Sequence, residues 1–326
     1  MNILVTGGAG YIGSHAARFL AASGHEVWAY DDLSQGHAAA CDVRRLIVAD
    51  VRDQDALRQA LRSHGIETVF HFAGSALVGD SVGNPSKYYD NNVRASLSLL
   101  EAMRLERVNT LIFSSTCAVY GDCSADPISE REPLTPINPY GVTKRVVERA
   151  IEDYSKAYGI AGVVFRYFNA AGAALDGSHG EDHSPETHLI PLTLQCALGR
   201  RTSVCIYGND YPTSDGTCVR DYIHVEDLVD AHAAALHHAI EGQCLHLNLG
   251  TGSGYTVRQV IDACQEVVGR SLPVEIGPRR HGDPHRLVAD PALAIQKLDW
   301  RPHRSDLKTI VESAWNWHRR HPDGYK

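Results

Sequence analysis

The sequence lacks a long apolar run, a closely spaced cysteine pair and an excess of basic residues. None of its 326 residues lies in an apolar stretch of membrane-spanning length, so a membrane protein is not expected. The eight cysteines are scattered without a C-x-x-C pair, which favours reduced thiols over disulfides. A net charge of −8 argues against nucleic acid or an anionic membrane as the main partner, although local arginines can still bind a phosphorylated substrate.

No basic segment precedes the first apolar stretch, so we expect no signal peptide and a cytoplasmic location. The chain shows no internal repeat and no low-complexity segment. Its composition, 44% hydrophobic and 21% charged, is that of an ordinary globular protein. The length predicts one large and one smaller domain.

The most informative segment is the glycine-rich start of the chain. The apolar residues from Ile3 to Val5 predict a strand, and apolar residues at helical spacing follow from Ile12 to Leu20. The glycines between them allow a tight turn, a close phosphate approach and close helix–strand packing. They fit the dinucleotide-binding pattern and are Gly7, Gly8, Gly10 and Gly13.

Asp31 follows a second predicted strand, about 20 residues after the last glycine of the motif. An acid at this place accepts hydrogen bonds from the adenosine ribose hydroxyls. Its carboxylate repels a 2′-phosphate, and no arginine follows it directly. We therefore expect NAD rather than NADP.

Strand and helix patterns alternate through the first half of the chain. This predicts an α/β fold, a doubly wound parallel (Rossmann) sheet, with a smaller, discontinuous α/β substrate domain. We assign residues 1–170 and about 219–252 to the NAD-binding domain, and about 171–218 and 253–326 to the other. Two late helices are predicted, the first capped by Thr256 and the second by Ser305.

Tyr140 and Lys144 lie four residues apart and so share one face of a predicted helix. A free tyrosine is a poor base at neutral pH, and a neighbouring lysine ammonium lowers its pKa. Thr116 follows a predicted strand, at the sheet edge where ligands bind. Behind a dinucleotide motif, these three residues predict redox chemistry.

The histidines offer no clear metal site in the sequence. His179, His183 and His188 come closest to a cluster, but they lie in a segment rich in Gly, Asp, Ser and Pro. We interpret them as loop residues and predict no metal.

Several motifs resemble the extended short-chain dehydrogenase/reductase family, and within it the UDP-glucose 4-epimerase family. They include the glycine-rich start, the Tyr-x-x-x-Lys pair and Arg166-Tyr167-Phe168-Asn169. More specific are Asn138-Pro139-Tyr140-Gly141, Gly208-Asn209-Asp210-Tyr211-Pro212-Thr213 and Val219-Arg220-Asp221-Tyr222-Ile223-His224-Val225. The resemblance runs from residue 2 to about residue 325.

The resemblance implies roles for the matching residues. Tyr140 resembles the base that takes the sugar 4-hydroxyl proton, Lys144 the residue that binds the nicotinamide ribose, and Thr116 their hydrogen-bonding partner. The residues that resemble NAD contacts are Gly7, Gly10, Tyr11, Ile12, Gly13, Asp31, Asp50, Val51, Phe72, Ala73, Gly74, Asn91, Ser114, Tyr140, Lys144 and Phe168. Those that resemble UDP-sugar contacts are Thr116, Tyr140, Asn169, His188, Leu189, Tyr207, Arg220, Arg280, Asp283 and Leu287.

Three positions depart from the pattern of some family members. Ala76 replaces a lysine, which puts one cofactor contact in doubt, and His188 replaces an asparagine near the sugar nucleotide. Leu287 stands where a tyrosine crowds the sugar C2 substituent. The smaller leucine leads us to expect that an N-acetyl group fits.

The implied activity is the interconversion of UDP-galactose and UDP-glucose by transient oxidation at C4, with a homodimer as the implied assembly. Another UDP-sugar 4-epimerase is one alternative, and a nucleotide-sugar 4,6-dehydratase is a second. A dehydratase typically has Thr-Asp-Glu where this chain has Thr116-Cys117-Ala118. A nonenzymatic NAD-binding protein, the third alternative, would not need Tyr140 and Lys144.

Overall fold

A computed structural model describes residues 1–280 and 283–325. The strands are β1 (Asn2–Thr6), β2 (Glu26–Asp31), β3 (Leu46–Val48), β4 (Thr68–His71), β5 (Thr110–Thr116), β6 (Ala161–Tyr167), β7 (Asn169–Ala171), β8 (Val204–Tyr207), β9 (Val219–Arg220), β10 (Tyr222–His224), β11 (Cys244–Leu249), β12 (Tyr255–Thr256), β13 (Val274–Gly277) and β14 (Arg286–Leu287).

The α-helices alternate with the early strands and dominate the later part of the chain. They are α1 (Tyr11–Ala22), α2 (Gln54–Ser63), α3 (Val78–Gly83), α4 (Pro85–Tyr88), α5 (Ala95–Glu106), α6 (Pro139–Tyr158), α7 (Leu189–Ala197), α8 (Val225–Ala234), α9 (Val257–Val268), α10 (Ala292–Leu298) and α11 (Leu307–Arg320). The segment Tyr89–Arg94 between α4 and α5 is a π-helix.

Seven strands form one parallel sheet in the order β11-β6-β5-β4-β1-β2-β3. Alternating residues of β1 face opposite sides of it. Ile3 and Val5 pack in a cluster with residues of α1 and α8, whereas Leu4 packs with residues of α2 and α5. The sheet is thus covered by helices on both faces, and the predicted doubly wound α/β fold is confirmed.

The remaining strands are short and form three small sheets: β10 with β7, β9 between β12 and β14, and β13 with β8. Beside them α7, α9 and α11 pack around a core that includes Leu194, Val260 and Ile310. This second body is built from chain segments on either side of β11.

The division of the chain into domains stays a prediction. β11, late in the sequence, lies at the edge of the large sheet beside β6. Ala294 and Leu298 of α10, with the following Trp300, pack in the core that covers this sheet, although our boundaries place them in the smaller domain.

The two predicted helix caps differ in outcome. Thr256 caps α9 through a capping box with Gln259, as predicted. The prediction that Ser305 caps the last helix is wrong, because Asp306 accepts from the Thr309 N–H at 2.9 Å and α11 begins at Leu307. Ser305 is buried and donates instead to Asp227 at 2.6 Å.

Across residues 1–280 and 283–325, no helix is both long enough and apolar enough to cross a membrane.

Candidate active site

The glycine-rich turn joins β1 to α1 and is built so closely that side chains cannot enter it. Gly7 has φ +69°, and a Cβ there would lie 2.6 Å from the Ala73 nitrogen. A Cβ on Gly13 would lie 2.0 Å from the Gly7 carbonyl oxygen. Gly10 precedes the first helical residue and has no side chain to cap the helix. The N–H groups of Tyr11, Ile12 and Gly13 therefore begin α1 without a side-chain acceptor from that position, which suits a dinucleotide pyrophosphate.

Asp31 ends β2 and braces the glycine turn. Its carboxylate accepts from the Ala9 N–H at 3.0 Å and from the Leu33 N–H at 2.9 Å. Burial raises the pKa of Asp31, although the two backbone hydrogen bonds oppose that rise. The predicted ribose-binding acid thus lies directly beside the predicted phosphate-binding turn.

The other predicted NAD contacts follow the ends of β3 and β4. The Asp50 carboxylate pairs with Arg52, whose Nε lies 2.9 Å from Oδ2, and Val51 is buried next to it. The Phe72 and Ala73 N–H groups both donate to the Thr6 carbonyl, which ties this turn to β1. Gly74 follows in the same turn. Asn91 lies in the π-helix and donates to the Ser75 hydroxyl at 3.1 Å.

Tyr140 and Lys144 lie in the first two turns of α6. Asn138 caps this helix by accepting from the Gly141 N–H at 2.8 Å, and Pro139 occupies its first position. Lys144 is buried, and its ammonium donates to the Ser114 carbonyl at 2.8 Å. Burial lowers the pKa of Lys144 to about 8, while the nearby Glu148 carboxylate opposes that change.

The Tyr140 hydroxyl environment differs from the prediction. Burial raises the pKa of Tyr140 well above 10, and a hydrogen bond with Thr116 only partly offsets this. The expected lowering by Lys144 is therefore wrong for this structure, since the ammonium points to the Ser114 carbonyl and burial dominates. Ser114 and Tyr167, both beside the pair, share a short hydrogen bond between their hydroxyls.

The sequence patterns did not lead us to predict the buried ion pair that lies near Lys144. Glu148 and Arg166 are fully enclosed, with Arg166 Nη2 2.7 Å from Glu148 Oε2 and Nε 3.0 Å from Oε1. Ser115 donates to the same carboxylate at 2.5 Å. The network ties α6 to β5 and β6. The sequence does contain a pattern that indicates Glu148. This residue follows Lys144 by four positions, the same spacing that separates Lys144 from Tyr140, so all three share one helix face.

Asn92 is a second residue that the sequence reading left without a role. Its buried amide donates to the Ser75 carbonyl and to the Thr143 hydroxyl, each at 3.0 Å, and its oxygen accepts from the Ser75 N–H at 2.8 Å. It therefore fixes the turn after β4 against α6, next to Lys144. Nothing in the local sequence distinguishes it from Asn91.

The predicted nucleotide-sugar residues Arg220, Asp283 and Leu287 come together. Arg220 and Asp283 form a short ion pair, and Leu287 of β14 is registered with Arg220 of β9. Leu287 packs, as Cys117 and Phe168 do, against a small buried apolar cluster that includes Val119 and Tyr120, just after the Thr116 end of β5. Asn169 donates to the Asp221 carbonyl at 3.0 Å.

Tyr207 and Arg280 form the outer part of this region. Tyr207 ends β8 and is 40% exposed, and the Arg280 guanidinium lies 4.0 Å from its ring centroid. The neighbouring Arg279 stacks in the same way on Tyr211, at 4.2 Å. An exposed aromatic face beside two arginines suits a nucleotide base and its phosphates.

His188 and Leu189 lie at the start of α7, at the end of the Gly/Asp-rich segment. His188 and His183 gather around Glu181 and Glu186, whereas His179 packs elsewhere, against His15 and Tyr325. No pattern in the sequence indicated Glu181 or Glu186. The four side chains come together only because the loop before α7 folds back on itself.

Comparisons with known proteins agree with this geometry. The model of the NAD dependent epimerase/dehydratase family matches residues 3–250. The chain is 49% identical to a UDP-glucose 4-epimerase from Halalkalibacterium halodurans, over 100% of this chain and 98% of that one. It is similar to the crystal structure of a UDP-glucose 4-epimerase from Brucella ovis in complex with NAD, with TM-score 0.93, 49% identity and coverage of 96% and 97%. The enzyme from Bifidobacterium longum in complex with NAD⁺ and UDP has TM-score 0.94, 36% identity and coverage of 100% of each chain.

Proposed function

The chain belongs to the NAD dependent epimerase/dehydratase family, among the UDP-glucose 4-epimerases, and we propose that it interconverts UDP-galactose and UDP-glucose with NAD as its cofactor. The observation that carries the proposal is the position of Tyr140 and Lys144. Lys144 donates to the Ser114 carbonyl near the end of β5, and a Cβ on Gly74, in the turn that packs against Gly7, would lie 3.7 Å from the Lys144 Nζ. On this proposal, the redox pair and the residues that bind the nucleotide diphosphate belong to one site.

The chain's residues supply the acid–base and binding parts of the reaction. NAD, when bound, supplies reversible acceptance of the sugar C4 hydride. Tyr140, beside Thr116, would take up the sugar 4-hydroxyl proton in its phenolate form and return that proton from the resulting hydroxyl. Lys144 is positioned by the Ser114 carbonyl and binds the cofactor ribose. Ser114, Phe168 and the glycine turn complete the cofactor contacts.

The substrate grip is concentrated on the UDP moiety. Arg220 and Arg280 present guanidinium groups to the diphosphate, Asp283 accepts from the uridine ribose, and Tyr207 offers its face to uracil. The resemblance also assigns Asn169, His188 and Leu189 to the substrate contacts. Such remote binding energy retains the oxidised sugar while leaving the hexose free to turn over.

We extend the proposal to N-acetylated UDP-hexoses. Leu287 packs against the buried apolar cluster that includes Val119 and Tyr120, just after the Thr116 end of β5. A leucine side chain here leaves more space than a tyrosine at the sugar C2 position. The kcat/KM for UDP-GlcNAc relative to UDP-galactose tests this. A ratio below about one thousandth, roughly 4 kcal/mol of discrimination, would contradict it.

We also propose a homodimer built on α5 and α6. Large apolar side chains on and beside these helices are exposed in the single chain, as expected of a surface that a second copy covers. They are Tyr89, Leu97, Leu105, Val146 and Tyr158. Sedimentation equilibrium tests this, and a monomer at micromolar concentration would contradict it.

A cytoplasmic location is the last part of the proposal. All eight cysteines are free, as is typical of proteins in a reducing compartment.

One experiment tests the main proposal. The purified protein is incubated with UDP-galactose without added NAD, and UDP-glucose is measured by chromatography. We expect conversion, because the buried cofactor contacts favour retention of NAD through purification. No conversion after NAD is added would reject the epimerase assignment. Release of a 4-keto-6-deoxy product would favour the dehydratase.

A further inference from the structure

Four side chains from the segment before α7 converge on one point. Glu181, His183, Glu186 and His188 each direct one donor atom there, and all four atoms lie within 4.8 Å of one another. We refer to these four residues as the 181–188 cluster. The proposed epimerase reaction assigns no chemistry to Glu181, His183 or Glu186, whereas His188 is also one of the residues that resemble UDP-sugar contacts.

The spacing of the donors approaches that of a tetrahedral metal site. The Nδ1 atom of His183 lies 3.1 Å from Glu181 Oε1 and 3.9 Å from Glu186 Oε2, and His188 Nδ1 lies 3.6 Å from Glu186 Oε1. His188 Nδ1 is also in short contact with Glu181 Oε1. Ligands bonded at 2.0–2.1 Å to a tetrahedral Zn²⁺ are separated by roughly 3.3 Å. Small shifts therefore bring the four donors into a common coordination sphere.

Charge and burial also favour a cation. Both carboxylates are almost enclosed, with 4% of each glutamate side chain exposed. Two adjacent buried carboxylates repel one another unless positive charge compensates them. A divalent ion bound by two neutral imidazoles and two carboxylates gives a neutral site.

The glutamates are held by the surrounding backbone. Glu186 Oε1 accepts from the Thr187 N–H at 2.6 Å and from the His188 N–H at 2.8 Å, which orients the carboxylate toward the histidines. The backbone carbonyl of Glu181 accepts from the Trp317 indole at 3.2 Å. Such supporting hydrogen bonds position the ligands of metal sites.

We propose that the 181–188 cluster binds one Zn²⁺ ion per chain through Glu181, His183, Glu186 and His188. Two imidazoles and two carboxylates match the nitrogen and oxygen ligands that Zn²⁺ accepts in tetrahedral sites. The four ligands close the coordination sphere, so the ion is structural. It holds the segment before α7 near Tyr11 of α1, whose ring centroid lies 6.2 Å from that of His183.

The test uses the full-length protein. The protein is dialysed against a chelator, returned to chelator-free buffer and titrated with ZnCl₂ by calorimetry, and retained zinc is measured by elemental analysis. We expect one Zn²⁺ per chain. Replacement by Co²⁺ should give the intense visible absorption of a tetrahedral site. No zinc binding by the folded wild-type protein, or an octahedral Co²⁺ spectrum, would overturn the proposal and leave the cluster as a protonated histidine–glutamate network.

Substitutions in the 181–188 cluster test whether these residues bind the Zn²⁺ ion. We expect His183→Ala and Glu181→Gln to weaken Zn²⁺ binding at least about 10-fold. His238→Ala, an exposed histidine outside the cluster, is the matched control and keeps full binding. Equal zinc binding by the folded His183→Ala, Glu181→Gln and control proteins would overturn the assignment. Because the readout is metal content, its failure is distinguishable from failure of UDP-galactose conversion.

Discussion

The two ends of the candidate site are held in different ways. At the catalytic end, Tyr140 and Lys144 are buried on the twenty-residue helix α6, which the Glu148–Arg166 pair ties to β5 and β6. At the nucleotide end, Arg220 lies on a two-residue strand, and Tyr207 is 40% exposed at the end of a four-residue strand. If the proposed roles hold, we expect the buried end to fix the geometry of proton and hydride transfer, and the more exposed end to contribute mainly to nucleotide affinity.

The largest effect is expected from the reactive hydroxyl. Tyr140→Phe removes the group that exchanges the sugar proton, so we expect kcat to fall about 1000-fold while UDP affinity is retained. Steady-state kinetics and UDP calorimetry measure the two quantities. The control is Tyr88→Phe, whose hydroxyl donates to the Leu77 carbonyl and whose ring centroid lies 6.4 Å from that of Tyr140. Similar losses in both variants would contradict the assignment.

The second prediction concerns the contribution of the buried Glu148–Arg166 pair to stability. Glu148→Gln leaves Arg166 buried without its counter-charge, so we expect the free energy of unfolding in urea to fall by about 3 kcal/mol or more. The control is Glu152→Gln, one turn further along α6. The Glu152 carboxylate pairs with the partly exposed Arg145 at 3.0 Å, so we expect this change to lower the free energy of unfolding by about 1 kcal/mol or less. Equal losses would show that the buried pair has no special part in holding α6.

The third prediction concerns the pH dependence of stability. Lys144 has a pKa of about 8 when folded and its usual value near 10.5 when unfolded. Between these values the unfolded chain binds more protons, so the contribution of Lys144 to stability rises with pH in that window, by about 3 kcal/mol at most. The rise should disappear in Lys144→Met and persist in Lys156→Met, an exposed lysine on the same helix. Parallel urea-unfolding profiles for wild type and Lys144→Met would contradict it.

The smallest effect is expected at the nucleotide end. Tyr207→Ala removes an aromatic face worth about 0.5–1.5 kcal/mol, so UDP affinity should weaken about 2- to 10-fold with kcat nearly unchanged. Tyr207→Phe keeps the ring and should bind UDP like the wild type. If Tyr207→Ala lowered kcat as strongly as Tyr140→Phe, the contrast between the two ends would be lost.

The fold was predictable because its signals are local and repeated. The apolar run at β1, the glycines after it and the alternating helices lead directly to the doubly wound sheet. The spacing of Tyr140 and Lys144 likewise places them on one helix face. The Thr256 cap was predictable from its own side chain and the Gln259 that follows three residues later.

The remaining features depend on contacts between distant segments. Ser305 looked like a helix cap, but Asp227, far from it in sequence, engages its hydroxyl and Asp306 caps the helix instead. The pKa of Tyr140 could not be inferred from a neighbouring lysine, because the extent of burial is set by the whole fold. The 181–188 cluster depends on how one loop folds back on itself.

The position of β11 has a consequence for synthesis of the chain on the ribosome. β6 gains its outer neighbour only when residues 244–249 arrive, after the whole segment from β7 to α8 has been made. Until then the edge of β6 presents unpaired backbone groups that invite pairing with other chains. A fragment that ends near residue 170 keeps this edge permanently open. We therefore expect such a fragment to aggregate when expressed alone, although it contains the glycine turn, Tyr140 and Lys144.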